Sequence, residues 1–160
     1  MKGGEALVAD LTIAGAVRVT LHVESDCPDT DFVAKLIEVT PEGRAMLLMD
    51  GVTRAMYRDP SVGPQPMALG QVCRVTIALG DIHHTFCAGS RIEIDVTSSN
   101  FPRRARNTNS GHTVLARDCE ADIRVATNTV QHVPTTPSFV ELPVLGRQKQ
   151  TRPPTPAHVY

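Results

Sequence analysis

A chain of 160 residues has the length of one domain, and 41% hydrophobic against 21% charged residues is an ordinary globular balance. The formal net charge of −1 gives no electrostatic reason to bind nucleic acid or an anionic membrane. The apolar runs are too short for a spanning helix, and the first ten residues lack the long apolar centre of a secretory signal, so a cytoplasmic location is the expectation. Aromatic residues make up 4% and tryptophan is absent, so Val, Ile, Leu and Ala must fill the core.

In chain order, Ala6 to Ile13 reads as a weak first strand broken by Gly15. Val17, Val19, Leu21 and Val23 then alternate with Arg18, Thr20, His22 and Glu24, the period of a strand with one buried face. After the turn-rich loop Ser25 to Asp31, Phe32 to Val39 is apolar on both faces, as a central strand would be. Thr40-Pro41-Glu42-Gly43 is a turn, and Arg44 to Met49 its hairpin partner. Asp50-Gly51 predicts a second hairpin turn into a strand over Val52 to Arg58.

The prolines and glycines of Asp59 to Leu69 make a loop. Gln71 to Leu79 alternates again, with Cys73, Val75, Ile77 and Leu79 on one face, and Gly80 to His84 is predicted to turn. Ile92, Ile94 and Val96 alternate with Glu93, Asp95 and Thr97, and Pro102 stops this strand near Ser99. Thr113 to Ala116, Asp122 to Ala126 and Ser138 to Val144 are predicted short strands. Eight or nine strands with frequent turn signals and no convincing helix make an all-β sandwich or jelly roll. The domain is placed at residues 1–145. Residues 146–160, polar and rich in proline, are predicted to be a disordered tail.

The chemistry-bearing residues form no strong motif. There is no Gly-x-Ser-x-Gly elbow, no glycine-rich phosphate loop and no His-Glu-x-x-His. Cys27, Cys73, Cys87 and Cys119 form no C-x-x-C pair and are expected to be free thiols. Asp81, His83, His84 and Cys87 are close in sequence, but adjacent histidines on an extended chain point to opposite sides and are poorly placed to share an ion. Asp26, Asp29 and Asp31 are oxygen donors of the calcium-loop type, in a loop where turn-forming aspartates are common anyway. Arg103, Arg104 and Arg106 are a local basic cluster without the interleaved aromatics on which bases stack.

Six stretches occur in an order that resembles a known family. They are Asp29-Thr30-Asp31-Phe32-Val33-Ala34-Lys35-Leu36, Pro41-Glu42-Gly43-Arg44-Ala45, Asp50-Gly51-Val52-Thr53-Arg54-Ala55-Met56-Tyr57-Arg58, Phe86-Cys87-Ala88-Gly89-Ser90-Arg91-Ile92, Ser98-Ser99-Asn100-Phe101-Pro102-Arg103 and Asn107-Thr108-Asn109-Ser110-Gly111. Together they look like the C-terminal domain of serine hydrolases of the X-Pro dipeptidyl-peptidase and cocaine esterase type, over about Leu7 to Leu145. The resemblance implies a galactose-binding-like jelly roll beside an α/β-hydrolase domain that carries the catalytic Ser, Asp and His. None of these can be assigned here, so no catalytic, cofactor-binding or metal-binding residue and no cofactor is expected.

The implied partner is an α/β-hydrolase domain, in the same chain of the full gene or in trans, or a second copy. The family also has a further strand ahead of the segment matching Leu7 to Ile13, which implies an open sheet edge here, and a tryptophan near Leu79, where this chain has Gly80. The alternatives are a free-standing carbohydrate- or protein-binding module, or an enzyme acting through Asp81, His83 or His84.

Overall fold

The computed structural model describes residues 4–146, so the predicted tail lies outside the described residues except for Gly146. Among the described residues, seven strands form two sheets. In the first, the long strand β1 (Leu11–Ser25) pairs along one edge with β4 (Cys73–Phe86). Its other edge is covered piecewise by β6 (Asn128–Gln131), β7 (Phe139–Glu141) and a bridge from Ile13 to Val144. In the second sheet β2 (Asp31–Val39) lies between β3 (Ala45–Arg54) and β5 (Arg91–Thr97). All the pairings are antiparallel. The core lies between the sheets, where Val17, Val19, Leu21, Val23, Val75 and Ile77 of the first meet Phe32, Ala34 and Leu36 of the second.

The alternating stretches are strands with their apolar sets inward, as predicted. Three glycines behave differently from the prediction. Gly15 does not break β1. It takes φ +127° within the strand and packs on Pro143, to whose Cβ an added Cβ would come within 3.4 Å. Asp50-Gly51 is no turn either: both residues lie inside β3, Gly51 opposite Ala34. A Cβ on Gly51 would sit 2.3 Å from the carbonyl oxygen of Ala78, because β4 crosses β3 there. Gly80 lies within β4, beside a bulge at Val17/Arg18, with φ +110°, so β4 runs on to Phe86 through the predicted turn.

The predicted strands Thr113 to Ala116 and Asp122 to Ala126 are instead part of the crossover 98–127, which carries two short 3-10 turns, Leu115–Arg117 and Glu120–Asp122. Val114, Ile123 and Val125 point to solvent, so neither stretch has an apolar face to lay on a sheet. Ahead of β1, Leu7 exchanges backbone bonds with Ser90 (2.9 Å) and Gly89 (2.8 Å), and the Gly4 N–H reaches the Ile92 carbonyl at 3.4 Å. Residues 4–7 thus run along the start of β5. Beyond Ile92, no described residue pairs with this edge.

The crossing at Gly51 gives a direct test. Gly51→Ala is expected to lose about 1–3 kcal/mol through overpacking, read as a lower urea midpoint with an unchanged m-value. A loss within about 0.5 kcal/mol, the range of an indifferent surface change, would mean the sheets do not meet at this point.

Candidate functional site

The loop leading into β2 brings a carboxylate, Asp29, to full burial. A charge removed from water persists only when it is paired and hydrogen-bonded. Asp29 Oδ2 accepts from Arg54 Nε and from Asn107 Nδ2 (3.1 Å), while Oδ1 accepts from the Met56 N–H at 2.9 Å. Arg54 is the last residue of β3, and the β2–β3 register sets it opposite Asp31. Its two Nη groups donate to the carbonyls of His112 and Thr113, and its guanidinium lies 5.4 Å from the Tyr57 ring centroid.

Asn107 also donates to Asp31 Oδ1 at 2.8 Å, and its own side-chain oxygen accepts from the Asn109 N–H at 2.9 Å. Asn109, in the left-handed region at φ +59°, sends its amide to the Arg124 carbonyl at 2.8 Å. Gly111 passes so near Pro28 that a Cβ would lie 2.8 Å from its Cγ. The end of the sandwich is therefore one polar knot joining the Asp29 loop, the end of β3 and the crossover. Burial pushes the Asp31 carboxyl above its usual range, and the Asp29 charge adds to this, against the Asn107 hydrogen bond and the Arg54 charge.

Beside the knot, three residues of the crossover converge. Asp118, whose side chain is 1% exposed, accepts from the hydroxyls of Thr108 and Ser110 at Oδ2 and meets His112 Nδ1 at 2.8 Å through Oδ1. The hydrogen bonds from Ser110, Thr108 and His112 hold its carboxyl at about 2. As Asp118 is ionised, the proton of that pair belongs to the imidazole. Asp122 closes the group, its Oδ2 accepting from the Cys119 N–H at 2.9 Å. An open cavity of about 520 Å³ is lined by these side chains with Gly111, Thr113, Val114 and Arg117. Ser110, His112 and Asp118 do not form a nucleophilic relay. Such a relay needs the imidazole between hydroxyl and carboxylate, whereas Ser110 donates straight to Asp118 at 2.6 Å.

Of the sequence candidates, Asp29 and Asp31 are brought together through the Asn107 amide, and the others are not. His84 Nε2 bonds Glu38 Oε2 at 2.8 Å and the Ser90 hydroxyl bonds Oε1 at 2.8 Å, a clamp between the sheets packed edge-on to Phe86. Asp81, His83 and Cys87 face solvent. Asp26 leaves Asp29 and Asp31 to take the Thr127 N–H at 2.8 Å. Of the basic cluster, Arg103 pairs with Asp50 at 3.4 Å, and Arg103, Arg104 and Arg106 are all exposed. Sequence reasoning missed the His112, Asp118 and Asp122 group, whose members share no periodic spacing, and the central place of Arg54.

This is an all-β sandwich domain whose polar motif residues are spent on its own joints. The family described as the X-Pro dipeptidyl-peptidase C-terminal non-catalytic domain matches residues 3–141, and the chain belongs to that family. It is 38% identical over 143 residues to the cocaine esterase of Rhodococcus sp. (strain MB1 Bresler), covering 89% of this chain and 25% of that protein. Among solved structures, an α-amino acid ester hydrolase superposes with a TM-score of 0.83 at 32% identity, over 88% of this chain and 24% of the other. An aminopeptidase from a marine sediment Thaumarchaeota archaeon gives 0.84 at 27% identity, over 89% and 25%. The chain spans about a quarter of the length of the relatives it matches.

Three expectations follow for the knot and the group beside it. Arg54→Ala leaves Asp29 buried and unpaired and is expected to cost about 3–5 kcal/mol, measured by chemical denaturation; a surface-like loss below about 1 kcal/mol would refute the pairing. Asp31 and Asp118 are shifted in opposite directions. Asp31, raised on folding, costs stability as pH rises through its folded value, so Asp31→Asn should raise the urea midpoint at neutral pH. Asp118, lowered from 3.8 to about 2, supplies stability above 3.8 that is lost as pH falls toward 2, and Asp118→Asn should flatten that acid limb.

Proposed function

We propose that residues 1–145 are the non-catalytic sandwich of a serine hydrolase of the X-Pro dipeptidyl-peptidase and cocaine esterase kind. In this reading the sandwich supports an α/β-hydrolase domain that supplies the catalytic Ser, Asp and His, in the same polypeptide or in trans. Self-association through the open β5 edge is the other way of covering that strand. The observation that carries the reading is the use made of Asp29, Arg54 and Asn107. They come from three of the family-like stretches, and they bond to one another and to backbone groups, as expected of residues that build a domain rather than meet a substrate.

The galactose-binding-like jelly roll is part of this proposal, and the two-sheet antiparallel topology supports it. No catalytic or cofactor-binding residue is assigned to the chain. A free-standing sugar-binding module would need an aromatic platform; Phe86 is buried and the Tyr57 ring is engaged by Arg54, which leaves Phe101 as a lone exposed ring among these three. The four cysteines are free thiols, which supports a cytoplasmic location, and no helix among the described residues is long and apolar enough to cross a membrane.

The test is hydrolysis of p-nitrophenyl esters and X-Pro p-nitroanilides by the purified chain. No turnover and no labelling by a fluorophosphonate probe are expected, while a separately expressed α/β-hydrolase domain of the family should gain thermal stability when the chain is added. Turnover by the chain alone, with its serine labelled, would overturn the proposal.

A further inference from the structure

The geometry points to a binding site for one divalent transition-metal ion of the zinc type, formed by His112, Asp118 and Asp122 at the cavity beside the knot. One ligand atom from each residue lies within 4.8 Å of the others. His112 Nδ1 and Asp118 Oδ1 stand 2.8 Å apart as a hydrogen-bonded pair. Two atoms each about 2.0–2.2 Å from a tetrahedral zinc lie roughly 3.3–3.6 Å apart, so the pair opens by about half an ångström to take the ion. An ion there takes the place of the proton that His112 Nδ1 directs at Asp118 Oδ1.

The surrounding shell is already built. Thr108 and Ser110 donate to the far oxygen of Asp118, as outer partners of a ligating carboxylate do. The Cys119 N–H holds Asp122 Oδ2 at 2.9 Å. Asp122 is placed by its cap on the Cys119 N–H, which holds its carboxyl below the usual range, with the Asp118 charge opposing it and His112 favouring it. A cation reverses that repulsion. The cavity leaves space for waters to complete the coordination. A ligand set with an imidazole favours a transition ion over Ca²⁺ or Mg²⁺. Because Arg54 grips the carbonyls of His112 and Thr113, the ion would tie the two 3-10 turns to the end of the sandwich.

The full chain, cleared of metal with a chelator, is titrated with Zn²⁺ by calorimetry and followed in parallel by thermal melting. One ion per chain and a raised Tm are expected. Binding should be weaker by about tenfold or more in His112→Ala, in Asp122→Asn and, through the outer shell, in Ser110→Ala. The His112 side chain is 58% exposed, so His112→Ala should keep the fold, which circular dichroism checks. No binding overturns the proposal. So does binding that survives both His112→Ala and Asp122→Asn, or binding abolished by thiol alkylation and untouched by His112→Ala.

Discussion

The loop end of this domain depends on one buried charge. Asp29 has no exposed surface, so every element that reaches it must bring a donor. β3 ends where Arg54 can reach the carboxylate, and the 3-10 turn that follows, Ala55–Tyr57, presents the Met56 N–H to its other oxygen. The crossover supplies Asn107 and is held in turn through the His112 and Thr113 carbonyls. A buried pair of this kind adds little against a hydrophobic alternative, but it punishes any arrangement that leaves one partner alone. It therefore acts on geometry: thirty residues of crossover, 98–127, with no strand of their own, find one path over the end of the sandwich.

The remaining family-like stretches do comparable work elsewhere. Ser90 meets Glu38 inside the sandwich, and His84 reaches the same carboxylate from the opposite sheet. Gly89, at φ +85°, lies against Pro41, where a Cβ would stand 3.1 Å from its Cγ. Gly51 lets a β4 carbonyl approach β3. At each of these joints a chain segment close in space and distant in sequence needs a small residue or a matched donor. The motifs thus mark where the two sheets and their loops are fastened, which is the property a supporting domain requires.

The strands were legible wherever one face is buried, because alternation in β1, β4 and β5 is a direct image of the pleat. Gly15, Gly51 and Gly80 were not. A glycine beside polar residues gives the same local signal for a turn as for a strand crossed closely by another chain, and only the position of Pro143 or Ala78 decides between them. The crossover was misread for a related reason: Val114, Ile123 and Val125 have the composition of strand residues but no partner edge to join. The resemblance located Asp29, Arg54 and Asn107 without showing that they touch. His112, Asp118 and Asp122 meet only because two 3-10 turns fold the chain back, and no spacing rule for helices or strands describes that path.

Burial separates the two polar groups at this end by what each can do. Asp29 and Asn107 lie under the surface with their bonds directed at neighbouring segments, so a substrate has no route to them. His112 is exposed, and Asp118 is shielded but lines the cavity. The first group sets the shape of the crossover, and the second inherits its position from it, since the backbone of His112 is the one Arg54 holds. The same crossover carries Val114 outward beside the Thr113 carbonyl that Arg54 holds, and Val125 beside the Arg124 carbonyl that Asn109 holds. Exposed apolar side chains on an anchored path lose less conformational entropy on any contact than the same side chains on a free loop.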